Sequence, residues 1–268
     1  MLFLLTGDIQ IGKTRWLEQL VGDMRARGVK CAGVVAPGVW RERTAAELAA
    51  GEGNHGGAAA GEGNHGGVAA GEVRFEKLPA GKEAPQKLPA NKGRFEKLGI
   101  DNVLLPSGER ISFARRRDLA QKEGSYDEKS QSGRARLAWN ISDEAIARVN
   151  AHFDALAGAM VDGASEVSLL AAPSQVGSSS DALTSARAPY FLVVDELGQL
   201  ELMRDGGLTS AVALLERGAN PQVPHALVVV REWLLDCARE RFGQAWGEVV
   251  PIGPTDDARV MIFESFSL

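Results

Sequence analysis

The sequence predicts an α/β fold built on a mostly parallel sheet, and three observations predict it. Short apolar runs, among them Leu2–Leu5, Tyr190–Val194 and Ala226–Val230, read as strands buried on both faces. Segments with helical periodicity alternate with these runs, the pattern that gives parallel strands joined by right-handed crossovers. The first run leads into Gly7, four further residues and then Gly12-Lys13-Thr14. That is a G-x-x-x-x-G-K-[ST] phosphate-binding loop, or P-loop, in its strand–loop–helix setting.

In chain order, residues 14–27 read as a helix, because Trp16, Leu17, Leu20, Val21 and Met24 recur at helical spacing and Gly28 is a stop. Lys30–Ala36 reads as a strand closed by Pro37-Gly38. Residues 43–100 differ in kind. GEGNHGG occurs at Gly51–Gly57 and Gly61–Gly67, RFEKL at Arg74–Leu78 and Arg94–Leu98, and KLPA at Lys77–Ala80 and Lys87–Ala90. No steady apolar set runs through these units, so a low-complexity insertion is expected. His55 and His65 within it are read as spacer residues rather than metal ligands.

Asn102–Ala114 reads as a β-hairpin turning at Pro106-Ser107-Gly108-Glu109. Arg115–Arg136 is polar and charged and is expected to be a loop. Ser142, Asp143 and Glu144 open a helix with an apolar stripe at Ile146, Val149, Phe153, Leu156 and Met160. A second low-complexity insertion, rich in Ser and Ala, is expected at 161–188. After the Tyr190–Val194 strand come a helix at Leu208–Arg217, the Ala226–Val230 strand and a helix at Glu232–Phe242. Glu248–Ile252 and Arg259–Phe263 read as the last strands. The expected organisation is a single P-loop domain over 1–268 carrying the insertions 43–100 and 161–188.

Hydrophobic residues make up 44% of the 268, enough for a sizeable core, and the net charge is −5. An acidic balance argues against a general nucleic-acid or membrane-surface binder. No apolar run approaches the ~18 residues of a membrane span. The initial apolar run lacks a preceding basic segment and ends in the phosphate loop, so it reads as a strand and not a signal peptide. Cys31 and Cys237 stand far apart, as expected in a reducing compartment, and a cytoplasmic location follows.

The chemistry is expected where two segments meet. Gly7, Asp8, Ile9, Gln10, Ile11, Gly12, Lys13, Thr14 and Arg15 form the nucleotide-binding loop, whose amides converge on phosphate oxygens at the positive end of the next helix. Lys13 would reach the β- and γ-phosphates and the Thr14 hydroxyl would ligate Mg²⁺. The run FLVVDELGQLEL supplies the rest. Asp195, at the carboxyl end of a buried strand, is where a Mg²⁺-supporting carboxylate belongs. Glu196 follows it, placed to orient or deprotonate the attacking water. Arg231, just past the next strand, is a candidate cation for transition-state charge. Arg115, Arg116 and Arg117 read either as a lid-like cluster or as a solvated basic loop, and Glu201 as a supporting carboxylate.

TGDIQIGKT near the start and VVDELGQLEL late in the chain resemble the THEP-type, or cancer-related, nucleoside-triphosphatases. That family's second motif, Asp-Glu-Ile-Gly followed by Met-Glu, is matched by Asp195-Glu196-Leu197-Gly198 and Leu200-Glu201. The hairpin near Pro106–Arg110 stands where the family has one. The resemblance covers the core elements and not the two insertions, and Gln10 stands where the family loop usually has another glycine. It implies a RecA-like P-loop NTPase fold with helices on both faces of the sheet. The implied activity is Mg²⁺-dependent hydrolysis of ATP, GTP and other nucleoside triphosphates to diphosphate and phosphate, with Asp195 serving the metal and Glu196 as the catalytic carboxylate.

Three other readings are open, and one of them, a nucleic-acid motor, lacks the basic face it would need. A P-loop kinase would pass the γ-phosphate to a small acceptor, and Glu196 argues against it because a carboxylate poised for water invites hydrolysis. A regulatory GTP switch would carry an N-K-x-D motif, but Asn91-Lys92 is followed by Gly93-Arg94.

Overall fold

The computed structural model describes residues 1–8, 11–51, 94–162 and 189–268. Residues 52–93, with His55, His65 and all but the first residue of the GEGNHGG repeats, lie outside the described residues, as do Ile9, Gln10 and residues 163–188. Two compact units are present: Met1–Trp40 with Lys97–Leu268, and Arg41–Glu96.

The larger unit is a mixed sheet covered by helices. Its elements are β1 (Leu2–Leu5), α1 (Lys13–Ala26), β2 (Lys30–Val35), β3 (Gly38–Glu42), β4 (Phe95–Leu105), β5 (Arg110–Arg116), α3 (Arg117–Glu123), α4 (Gln131–Arg134), β6 (Trp139–Ile141) and α5 (Asp143–Asp162). Then come β7 (Tyr190–Leu197), α6 (Gln199–Met203), α7 (Thr209–Glu216), β8 (His225–Val230), α8 (Leu235–Trp246), β9 (Val249–Ile252) and α9 (Asp256–Ser265). The strand order is β6-β5-β4-β2-β7-β8-β1-β9, with β3 paired to β4. From β2 to β9 every neighbouring pair is parallel, and β4, β5 and β6 extend the sheet antiparallel from β2.

Strict alternation along the parallel strands builds two cores. Leu2, Leu4, Ala32, Val34, Leu192, Val194, Ala226 and Val228 point to the face covered by α5, α7 and α8, where Phe153 and Phe242 are fully buried. Phe3, Leu5, Cys31, Val35, Phe191, Val193, Leu227 and Val229 point to the opposite face, covered by α1 and α9. Burial on both faces is why these strands read as unbroken apolar runs. Among the described residues no helix is long and apolar enough to cross a membrane.

The smaller unit holds α2 (Ala45–Gly51). Arg41 pairs with Glu47 at 2.9 Å and Glu96 at 2.6 Å, and the Arg43 amide donates to the Arg94 carbonyl at 2.8 Å.

Four expectations are corrected. The insertion expected at 43–100 ends too late, because Phe95–Ile100 belongs to β4, where Gly99 and Ile100 pair with Arg115 and Ala114 of β5. At its other end the second insertion, expected from 161, begins inside α5, which runs to Asp162. Arg115–Arg136 is not a loop: it finishes β5 and forms α3 and α4. Gly124 ends α3 in the left-handed conformation, and the Ser130 hydroxyl caps α4 by accepting from the Gly133 amide at 3.0 Å. Arg259–Phe263 is not a strand but part of α9. The Thr255 hydroxyl accepts from the Ala258 amide at 3.2 Å, Asp256 and Asp257 favour the helix N-terminus, and Ala258 and Ile262 bury one face.

Candidate functional site

The site residues come from the ends of three parallel strands. The loop after β1 enters α1 through Gly12, which adopts φ 96° and ψ 19°. A side chain is strained in that left-handed conformation, so the turn that aims the α1 N-terminus back over the sheet calls for glycine. The Lys13 ammonium donates to the carbonyls of Gly7 at 2.7 Å and Asp8 at 2.8 Å, curling over the loop. Burial pushes its pKa down, while the nearby charges of Glu196, Asp195 and Asp8 push it up and Arg231 pushes it down. Asp8, Ile11 and Arg15 are exposed, and Gly7, Gly12, Lys13 and Thr14 are half-buried.

Asp195 lies within β7 at 4% exposure. Its Oδ2 accepts the Ala36 amide at 2.9 Å, just beyond β2, and the Thr14 side chain is near enough to favour the ionised form of the same carboxyl. Burial pushes its pKa up to about 6, and the Glu196 charge adds to the rise, against the Ala36 amide and the Thr14 side chain. The loop hydroxyl and the buried carboxyl are thus brought together although β8 lies between β1 and β7.

Glu196 adopts φ 73°, a left-handed conformation that glutamate rarely occupies. The β7–β8 register shifts between Val194 and Leu197, so Glu196 sits on a bulge that turns its side chain out of the sheet. Its Oε1 accepts from Arg231 Nε at 2.9 Å, and both side chains are about 40% exposed, at 40% and 42%. Strain of this kind concentrates at working sites. Arg231 stands immediately after β8, so the strand ends of β7 and β8 together hold this pair.

The remaining expected residues fall elsewhere. Arg115 pairs with Glu123 at 2.6 Å, Arg116 bonds Asp118 at 2.9 Å, and the Arg117 guanidinium lies 4.9 Å from the Tyr126 ring centre. Each arginine is engaged by a near neighbour in sequence, and they do not form a shared cluster on the acid pair. Glu201 is buried, and its carboxyl accepts the Gly198 amide at 2.8 Å and the Leu208 amide at 3.1 Å. It fixes the connection after β7, and burial pushes its pKa up.

Lys97 on β4 joins the site although sequence reasoning assigned it to the insertion. Its charge interacts with Glu196, Asp195 and Arg231. The sequence signal was weak, because Phe95–Leu105 begins inside a repeated unit and its apolar residues do not alternate.

Among the described residues, no group of three or more His, Cys, Asp and Glu side chains converges to hold a metal. The Thr14–Asp195 pair offers one hydroxyl and one carboxylate, hard oxygen donors that suit Mg²⁺, an ion usually held by few protein ligands together with phosphates and water. No protein-family model matches the chain, and no curated protein or solved structure matches it significantly.

Proposed function

We propose that this chain is a Mg²⁺-dependent nucleoside-triphosphatase of RecA-like P-loop type, releasing diphosphate and phosphate from ATP, GTP and related nucleotides. One observation carries the reading: Thr14 of the G-x-x-x-x-G-K-[ST] loop is close enough to the buried Asp195 carboxyl of β7 to favour its ionised form. That juxtaposition joins the two motifs on which the resemblance to THEP-type nucleoside-triphosphatases rests, across a sheet in which one strand separates them.

Mg²⁺, when bound, would neutralise phosphate charge, held by Thr14 and Asp195. The loop amides and the α1 N-terminus bind the phosphate oxygens. Lys13 exchanges its bonds to the Gly7 and Asp8 carbonyls for phosphate oxygens, a charge-assisted contact that outweighs a neutral one. Glu196, turned out of the sheet by its bulge, orients the attacking water and accepts its proton. Arg231 holds the Glu196 carboxylate in place.

The test is phosphate release from ATP, GTP, CTP and UTP with Mg²⁺ and with EDTA. Metal-dependent release without an added acceptor supports hydrolysis. Release that appears only with a small-molecule acceptor means a kinase, and tight binding without turnover means a switch.

A further inference from the structure

β4 is longer than its partner. Its C-terminal part, Val103–Leu105, pairs antiparallel with Gly33–Val35 of β2, so its N-terminal part runs on past the carboxyl end of β2. That is the end of the sheet where Ala36 bonds Asp195. Lys97 stands on this overhang, and β3 lies beside it.

Two tryptophans flank the Lys97 stem. Its ammonium lies 5.1 Å from the Trp139 ring centre and 6.0 Å from that of Trp40. Gly38 completes the cradle, since a Cβ there would fall 2.7 Å from Trp40 Nε1 and 2.9 Å from Lys97 Cε. Only glycine lets the ring and the lysine stem approach the backbone this closely. The flexible stem is therefore held by three neighbours, and Trp40 keeps 51% of its surface exposed. Among the described residues Lys97 makes no ion pair and donates no hydrogen bond, although it senses the charges of Glu196, Asp195 and Arg231. Arg231 differs, because its guanidinium is already engaged by Glu196. Lys13 and Lys97 sense the same three charges, one from the β1 loop and the other from the β4 overhang.

We propose that Lys97, held between Trp40 and Trp139, is a second phosphate-contacting cation that meets the terminal phosphate of a bound nucleoside triphosphate from the β4 side. The inference rests on the nucleotide-binding reading of the same site. A compact ammonium held by ring faces is a desolvated point charge, suited to a phosphate oxygen carrying developing charge. A contact with the terminal phosphate alone would make its removal discriminate between triphosphate and diphosphate.

The experiment compares wild type, Lys97→Gln and Lys97→Arg. Equilibrium binding of ADP and of a non-hydrolysable ATP analogue is measured with Mg²⁺, and phosphate release from ATP is followed in parallel. Lys97→Gln should bind ADP within twofold of wild type, which also reports an intact fold. Its affinity for the triphosphate analogue should drop about tenfold or more, the worth of one charge-assisted contact. Lys97→Arg should recover most of that loss. Equal affinities of Lys97→Gln and wild type for the triphosphate overturn the proposal, as does an equal loss for both nucleotides. A wild-type chain that binds nucleotide without releasing phosphate sinks hydrolysis but leaves the Lys97 comparison decisive. One that binds no nucleotide overturns both.

Discussion

Asp195→Asn should make the protein more stable while removing the carboxylate proposed to serve Mg²⁺. The native Asp195 carboxyl is buried, and its pKa stands at about 6 against an ordinary 3.8. A carboxylate raised by folding binds its proton more tightly in the folded chain than in the unfolded one. Its ionisation therefore costs nothing below the unfolded value, costs progressively more as pH rises from about 4 to about 6, and costs the full amount above. At about 1.4 kcal/mol per pH unit, the rise from 3.8 to about 6 is about 3 kcal/mol at neutral pH. Asparagine is neutral and keeps an oxygen for the Ala36 amide, but its NH₂ group needs a partner, which reduces the net gain to roughly 1–3 kcal/mol. For a body of this size that is a rise in melting midpoint of about 2–4 °C per kcal/mol. The assay is thermal and urea unfolding in EDTA at pH 7.5 and pH 5. The advantage of Asp195→Asn should be largest at pH 7.5 and shrink at pH 5, where Asp195 of the wild type is largely protonated. Mg²⁺ with nucleotide should stabilise the wild type and not the variant. A variant less stable than wild type at pH 7.5, or an equal advantage at both pH values, would refute the reasoning.

Lys13→Ala should remove most nucleotide affinity and turnover, read by fluorescent-nucleotide binding and phosphate release, and wild-type turnover in a folded variant sinks the P-loop reading. Glu196→Gln should retain binding while phosphate release falls roughly 10²–10⁴-fold, the usual worth of a positioned general base. Turnover at the wild-type rate would make Glu196 only the acidic partner of Arg231. Thr255→Ala should destabilise by about 1 kcal/mol through loss of the α9 cap, measured by urea unfolding. Replacing residues 52–93 with a short Gly/Ser linker should leave nucleotide binding intact, because the repeats lack a steady apolar set and Arg43 and Arg94 already bring the ends together. Loss of binding would make that segment part of the site.

The parallel strands were legible because burial on both faces leaves unbroken apolar runs, as in Leu2–Leu5 and Tyr190–Val194, and α1 because its apolar residues recur at helical spacing. Gly12-Lys13-Thr14 and Asp195-Glu196 could be placed beside strands from the sequence alone, because each follows an unbroken apolar run. Lys97 was not. RFEKL occurs twice, and the copy at Arg94–Leu98 enters β4 because β3 and β5 pair with that strand, while the Arg74–Leu78 copy lies outside the described residues. Identical local propensity cannot distinguish the two, since strand formation is decided by cross-strand neighbours. Arg259–Phe263 misled for a related reason. Its apolar run suits a strand, but Thr255-Asp256-Asp257 ahead of it is a helix start whose capping decides the outcome. The role of Glu201 was hidden because the two amides it accepts belong to a connection whose path only the tertiary structure defines.

The strand order decides what happens when the chain is divided. β1 and β2 precede residue 163, whereas β7, β8 and β9 follow residue 188. In the sheet they interleave, since β7 and β8 lie between β2 and β1 and β9 lies outside β1. Cutting the polypeptide anywhere between 163 and 188 would therefore yield two fragments, neither able to complete the parallel sheet alone. Lys13 and Thr14 would stay on one and Asp195, Glu196 and Arg231 on the other. The proposed phosphate chemistry would return only when the halves zip together, which makes this fold a candidate scaffold for a split reporter whose signal is its own reassembly.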